Sequence, residues 1–328
     1  MQYRNFGTTD LQVSEVGFGA WAIGGDATIG STAIGWGPAD DATSKQAIKA
    51  ALDAGINFFD TADIYGLGHS EELLGAALQG SNVIIASKVG NVSRNDQFTV
   101  DYSKEHILSA CEQSLKRLKR DVIDYYQLHT ARVQHLENGA CIEAMQLLQH
   151  QGKIRYWGIS LNTFDPFPEA DFFLNNNLGS GFQLVLNLIN QRSLSLVKNA
   201  AARGYGIIAR MPLQFGLLTG KFSVDSHFEI TDHRRNRLTP AIIKSSNEAL
   251  QNTWELCNKY QVSKTQLALS YILSYNQVST VIPGIRTPEH VQLNTSGLVK
   301  LAPEDINFIE REGQATLASL LSVIEKQG

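Results

Sequence analysis

Residues 104–128 read KEHILSACEQSLKRLKRDVIDYYQL, and the change of period inside that stretch decides the fold. Over 104–118, Ile107, Cys111, Leu115 and Leu118 fall on one stripe, with Lys, Arg, Glu and Gln opposite. That spacing predicts an amphipathic helix with a single apolar face. After a short polar turn, VIDYYQL (122–128) is nearly continuous in apolar residues. A run without alternation has the character of a parallel strand buried on both faces.

The same unit recurs in both directions from there. Brief runs rich in Val, Ile, Phe or Tyr stand at VGFG (16–19), INFF (56–59), VIIAS (83–87), IRYWGI (154–159), FQLVL (182–186), YGIIA (205–209) and STVI (279–282), with helix-like stretches between them. One such stretch, 44–54, is expected to start at the T-x-x-Q pair Thr43 and Gln46 and to end at Gly55. Eight β-then-α units predict an α/β protein, a (β/α)8 TIM barrel, rather than a doubly wound open sheet with fewer strands. Ahead of them RNF and LQV flank the turn Gly7–Asp10, which predicts an N-terminal β-hairpin covering one end of the barrel. No linker or low-complexity tract interrupts the pattern, so residues 1–328 read as one barrel domain.

Composition narrows the function. With 43% hydrophobic and 18% charged residues the chain reads as a compact globular protein. A net charge of −4 offers no basic surface, so neither nucleic acid nor an anionic membrane is expected as a partner. No apolar run reaches the ~20 residues needed to span a bilayer. The opening MQYRNFGTTDLQ lacks the apolar core of a secretory signal, so the cytoplasm is the expected location. Cys111, Cys141 and Cys257 belong to no CxxC and are read as free thiols. Oligomeric state is not legible.

Several motifs have to be set aside. GFGAWA (17–22) matches the dinucleotide fingerprint G-x-G-x-x-A, with Asp40 or Asp41 at the right distance. The fingerprint requires a helix to begin there, whose free N–H groups hold the pyrophosphate. The following IGGDATIGSTAIGWGP, with five glycines and no helical period, is a loop instead. Gly158-Ile-Ser-Leu-Asn162 lacks the last glycine of a nucleophile elbow. His227 and His233 lie on a polar loop without a Cys pair or HExxH, so they are read as solvated and no metal site is expected.

In a (β/α)8 barrel, functional groups gather at the strand C-termini. Asp60 follows the second strand with Tyr65 five residues on, Lys88 closes the third and His129 the fourth. These residue types suit carbonyl reduction, in which negative charge builds on the carbonyl oxygen and a proton donor is needed. A tyrosine with a pKa of about 10 is a weak acid at neutrality, and an adjacent Lys ammonium is expected to lower it. A carboxylate keeps that Lys charged, and a histidine can donate a hydrogen bond to the developing oxyanion.

The segments GINFFDTADIYG (55–66) and GHSE (68–71) closely resemble the aldo-keto reductase signature. SLKRLKRDVIDYYQLH (114–129) looks like the family's segment before its active-site histidine, and RMPLQFGLLTGK (210–221) and IPGIRTPEHVQLN (282–294) are similar to its cofactor-binding segments. The resemblance covers about residues 3–325. It implies Tyr65 as general acid supported by Asp60, Lys88 and His129, and a nicotinamide cofactor extended across the barrel mouth. NADPH is the expected form, with NAD possible. Ser160 and Gln183 match positions that bind the carboxamide, and Asn162 lies one place from a family Asn. Leu213, Gly216 and Leu218 match the pyrophosphate loop that Lys221 closes. Gly284, Arg286, His290 and Asn294 match the adenosine end, where Arg286 is expected to grip a 2′-phosphate. Arg210 occupies a place the family often gives to an aromatic that stacks on nicotinamide, and a planar guanidinium stacks as well.

Trp21, Ile23, Trp36 and Arg132, on loops after the first and fourth strands, are expected to line the mouth and meet a small carbonyl substrate. The polar segment 222–239 is expected to fold over bound cofactor as a lid. The alternative reading is a nicotinamide-binding regulatory subunit with little turnover, because a fold does not fix a function.

Overall fold

The protein is described over residues 1–327 by a computed structural model. Its centre is a barrel of eight parallel strands: β1 (Phe18–Gly19), β2 (Phe58–Asp60), β3 (Ile84–Val89), β4 (Ile123–His129), β5 (Ile154–Ser160), β6 (Gly181–Val185), β7 (Gly206–Arg210) and β8 (Thr280–Ile282). Each pairs with its neighbours in chain order. The first and last segments close the ring: Val16 and Gly19 bridge in parallel to Val281 and Gly284. There Gly17 N donates to Val281 O at 2.8 Å, and Gly19 N donates to Pro283 O at 3.0 Å. Helices run between successive strands, and among the described residues none is long and apolar enough to cross a membrane.

The helix Lys104–Leu118 forms as its pattern requires. Ser103 caps it by accepting from His106 N, Lys119 ends it in the left-handed region, and Ile107, Cys111, Leu115 and Leu118 are buried against the barrel. The first crossover helix departs from expectation at its start. It spans Asp41–Asp53, and its cap is Asp40, whose carboxylate accepts from Thr43 N at 2.7 Å. A carboxylate at this position meets the free N–H groups and the positive end of the helix dipole, so it displaces the Thr43 and Gln46 start. Gly55, at φ 83, follows its end as expected.

The N-terminal hairpin, Tyr3–Asn5 with Gln12–Ser14, plugs the end where the strands begin. Phe6, Leu11 and Val13 are buried with Phe58, Ala86, Tyr125, Ile208 and Ile282, a cluster inside the barrel. Room for the two rings comes from glycine. A Cβ on Gly206 would lie 2.6 Å from the Phe6 ring, one on Gly181 2.7 Å from it, and one on Gly158 2.0 Å from the Tyr125 hydroxyl. Phe6 meets Tyr125 edge-on at 4.8 Å between centroids. Above this plug the barrel turns polar, and the change of layer sets the depth of the site.

Candidate active site

Five groups at strand C-termini converge on one cleft. Asp60, His129, Ser160 and Arg210 are the last residues of β2, β4, β5 and β7, and Lys88 is the last but one of β3. Lys88 is fully buried. Its Nζ donates to Asp60 Oδ2 at 2.7 Å and to Thr61 O at 2.7 Å, and lies 3.5 Å from the Tyr65 hydroxyl. The other Asp60 oxygen, Oδ1, accepts from Gln183 Nε2 at 2.7 Å and Gln127 Nε2 at 3.3 Å. The carboxylate is therefore satisfied on both oxygens, which a buried charge requires.

Tyr65 reaches this group through a tight turn after β2. Gly66, at φ 60, lies so close to Gly24 that a Cβ there would sit 2.2 Å from Gly24 O. The two loops thus pack backbone to backbone. Trp21 stacks on Tyr65 at 5.7 Å with 16° between planes, and His129 meets it edge-on at 5.9 Å. A second buried network braces β3 from outside: Glu71 accepts from Arg117 Nε at 2.7 Å and from the Ser87 hydroxyl. It ties the segment 68–71 to the helix that leads to His129.

Electrostatics corrects one expectation. Burial pushes the Tyr65 phenol above its ordinary value, and the Lys88 ammonium only partly opposes this. Burial would lower Lys88, but the Asp60 carboxylate and the Tyr65 hydroxyl together outweigh it and leave the ammonium above its usual range. Burial holds His129 well below its ordinary value, with the Lys88 and Arg210 charges adding to the effect. At neutral pH the site therefore combines a protonated phenol, a charged ammonium and a neutral imidazole whose buried Nδ1 has no partner among the described residues.

The cleft measures about 930 Å³. Trp21, Trp36, Asp60, Tyr65, His129, Ser160, Gln183, Arg210, Leu213, Gly216, Lys221, Gly284, Arg286, His290 and Asn294 all line it, as the sequence predicts. Five predicted residues do not, among them Lys88, which is fully buried and meets the cleft only through Asp60 and Tyr65. Ile23 is fully buried in the core, because the 3-10 turn Trp21–Gly24 sends Trp21 to the cleft and Ile23 away from it. Leu218 is likewise in the core, two residues past the lining Gly216. Asn162 Oδ1 accepts from Phe164 N at 3.0 Å and Asp165 N at 3.1 Å, an Asx turn rather than a ligand group. Arg132 is half exposed on the outside, 3.7 Å from Glu169 Oε1.

Other residues at the cleft or beneath it were not foreseen. Gln127, fully buried beneath Asp60, carries a signal: with Asp124 it is one of two strongly polar residues inside the run VIDYYQL. Phe98 comes from a hairpin, Asn91–Arg94 with Gln97–Val100, that the runs around β3 did not reveal. His233, read as solvated, is buried. Its ring stacks on Trp21 at 4.6 Å and meets Phe215 at 5.0 Å, and burial lowers its pKa to about 3. Around it Trp36 bridges to Asp232, and His233 N donates to Gly35 O at 3.2 Å. Arg286 does not stand free: it donates to Trp36 O at 3.2 Å and to Pro38 O.

Fold and cleft together define a (β/α)8 barrel with its ionisable groups gathered at the strand C-termini. Within that class the chain belongs to the aldo/keto reductase family, whose model matches residues 15–312. It is 30% identical over 318 residues to the uncharacterized oxidoreductase YqkF of Bacillus subtilis, covering 94% of this chain and 96% of that one. It is 27% identical to a probable voltage-gated potassium channel subunit beta of Oryza sativa, over 94% of this chain and 96% of that one. Among solved structures, the glycerol dehydrogenase of Gluconobacter oxydans superposes with a TM-score of 0.79 at 28% identity, covering 94% of each chain. A holo-form aldo-keto reductase from Bacillus halodurans superposes with a TM-score of 0.77 at 27% identity, covering 95% of this chain and 96% of that one. Members of this family are oxidoreductases that use nicotinamide cofactors.

Proposed function

We propose that this protein reduces an aldehyde or ketone to an alcohol with NADPH, and that Tyr65 is the general acid. The observation that carries the reading is the fully buried Lys88 ammonium, 2.7 Å from Asp60 and 3.5 Å from the Tyr65 hydroxyl at the edge of the cleft. A buried ion pair is weak evidence for stability and a better sign of function when it perturbs a group in a cleft.

The residues present fit a nicotinamide dinucleotide. The cleft is large enough, and Gly284 leaves a floor where the nearest atom to a Cβ would be Trp36 at 3.9 Å. Lys221, Arg234 and Arg286 supply positive charge at one end, and Ser160 and Gln183 supply amide and hydroxyl partners at the other. A bound reduced nicotinamide supplies a hydride. As negative charge grows on the carbonyl oxygen, the Tyr65 hydroxyl gives it a proton. Lys88 stabilises the phenolate left behind, and Asp60 holds Lys88 charged and in place. The neutral His129 imidazole can donate one hydrogen bond to the same oxygen, so the oxygen meets two donors. With this set intact, turnover is favoured over a purely regulatory role.

The test is aldehyde-dependent oxidation of NADPH by the purified protein with para-nitrobenzaldehyde. Turnover is expected. Cofactor binding without turnover on any aldehyde would return the protein to the regulatory reading.

A further inference from the structure

The cations of the cleft fall into two groups. Lys221, Arg234 and Arg286 act on one another, together with Asp232 and Glu289, at the end expected to hold phosphate. Arg210 lies apart. It ends β7 opposite Val185 and Ile282, and its charge acts on Tyr65, Asp60 and His129, with the Arg237 charge also bearing on it. It belongs to the reacting end of the cleft.

Among the described residues none of its hydrogen-bond partners is charged. One terminal nitrogen donates to Leu161 O at 3.0 Å and Thr163 Oγ1 at 3.1 Å, the other lies 3.1 Å from Met211 Sδ, and Nε is buried with no partner. The nearby carboxylate, Asp60, is already saturated by Lys88, Gln127 and Gln183. Burial brings the guanidinium down to about 10, so it stays charged at neutral pH. A half-buried cation that hydrogen-bonds to no carboxylate among the described residues is costly to keep. Here it opens on a cleft that a small molecule enters, beside the groups that handle the carbonyl oxygen.

We infer that Arg210 receives a carboxylate on the substrate, so that the preferred substrates are carbonyl compounds carrying an anionic group close to the carbonyl. The inference rests on the carbonyl-reduction reading. With the carbonyl oxygen between Tyr65 and His129, the carboxylate supplies the charge that Arg210 lacks. A planar guanidinium suits a carboxylate because two N–H groups can bond both oxygens at once. It also has a face as well as an edge, so a ring lying on the face leaves the edge for the anion.

The experiment compares the ortho, meta and para formylbenzoates with their methyl esters, which keep the ring and the aldehyde but lose the charge. Flat probes suit a cleft walled by Trp21 and Trp36. For at least one isomer, kcat/KM for the acid should exceed that for the ester by about tenfold or more, the usual range for a charge-assisted hydrogen bond. In Arg210→Gln the acid-to-ester ratio should fall to about one, and Arg210→Lys should recover part of it. The ratio cancels any general effect of the substitution on folding or cofactor binding. Equal turnover of acid and ester by the native protein, or a ratio unchanged in Arg210→Gln, overturns the inference alone. No turnover of any aldehyde overturns the carbonyl-reduction reading and this inference with it.

Discussion

Lys88 is the residue on which the chemistry of the cleft turns. Without Asp60, burial would pull the Lys88 ammonium downward. Beside Asp60 it stays charged and can stabilise a phenolate that burial otherwise disfavours. The sign of the Tyr65 shift fixes a pH prediction. Reduction needs the protonated phenol, and the phenol is held above its ordinary 10, so kcat/KM should fall only on the alkaline side, as pH rises past that value. His129 is held well below 6.5, so it should add no ionisation to the profile between neutrality and its ordinary value. An alkaline limb near neutrality would contradict this balance. Tyr65→Phe removes the donor while keeping the ring against Trp21. Turnover should drop ~10²–10⁴-fold with NADPH affinity nearly unchanged, and near-normal turnover would refute the assignment. Asp60, Lys88 and His129 were legible because a titratable residue ending a buried run is conspicuous. The direction of the Tyr65 shift was not, since burial depends on Trp21 and His129, which arrive from other strands. Asn162 shows the converse: a position next to the right residue was filled by a side chain whose own backbone claims it.

Among the elements, the hairpin that plugs the barrel depends on glycines in three strands. The hairpin itself was readable from its turn, and its docking was not, because Gly158, Gly181 and Gly206 look like ordinary strand glycines until Phe6 and Tyr125 are placed over them. Gly206→Ala should force overpacking against Phe6 and cost roughly 1–3 kcal/mol. Phe6→Ala should cost about 3–5 kcal/mol by leaving a cavity. In the double variant the costs should not add, since the smaller side chain makes room for the new methyl. Denaturant melts of the four proteins check this, and strict additivity would show that Phe6 and Gly206 do not share a site. The segment 222–239 is polar and aperiodic, so its order was hidden. What folds it is tertiary: Asp232 pairs with Trp36, and His233 lies on Trp21 across the cleft. We expect hydrogen exchange over 232–237 to slow when NADPH binds, because Arg234 and Arg237 line the cleft beneath. Identical exchange with and without cofactor would rule out a lid.

At the scale of the whole molecule, a chain with net charge −4 collects Lys221, Arg234, Arg237 and Arg286 in one cleft. Overall charge in the sequence said nothing of this, because the four are brought together by loops after β7 and β8. Burial and mutual repulsion hold Lys221 and Arg286 below their usual values, which marks a site that an anion would relieve. NADPH differs from NADH by a 2′-phosphate carrying close to two negative charges. The native protein should therefore prefer NADPH, and the preference should shrink as salt is raised, since partly exposed charges are screened. Arg286 is the residue to test. Its guanidinium spends two N–H groups on Trp36 O and Pro38 O and has five in all, so it can anchor the loop and still meet phosphate. Thr287 caps the helix Pro288–Thr295 by accepting from His290 N, which leaves its hydroxyl proton free to donate to the ligand. Arg286→Ala should weaken NADPH by about 10- to 150-fold, the equivalent of one charge-assisted bond of roughly 1.5–3 kcal/mol, and leave NADH almost untouched. Titration of protein fluorescence with each cofactor measures both constants. Equal losses would mean that Arg286 acts only by holding Trp36 and Pro38 in place. A native protein that binds NADH as tightly as NADPH would overturn the assignment of NADP itself, whatever Arg286 contributes to the loop.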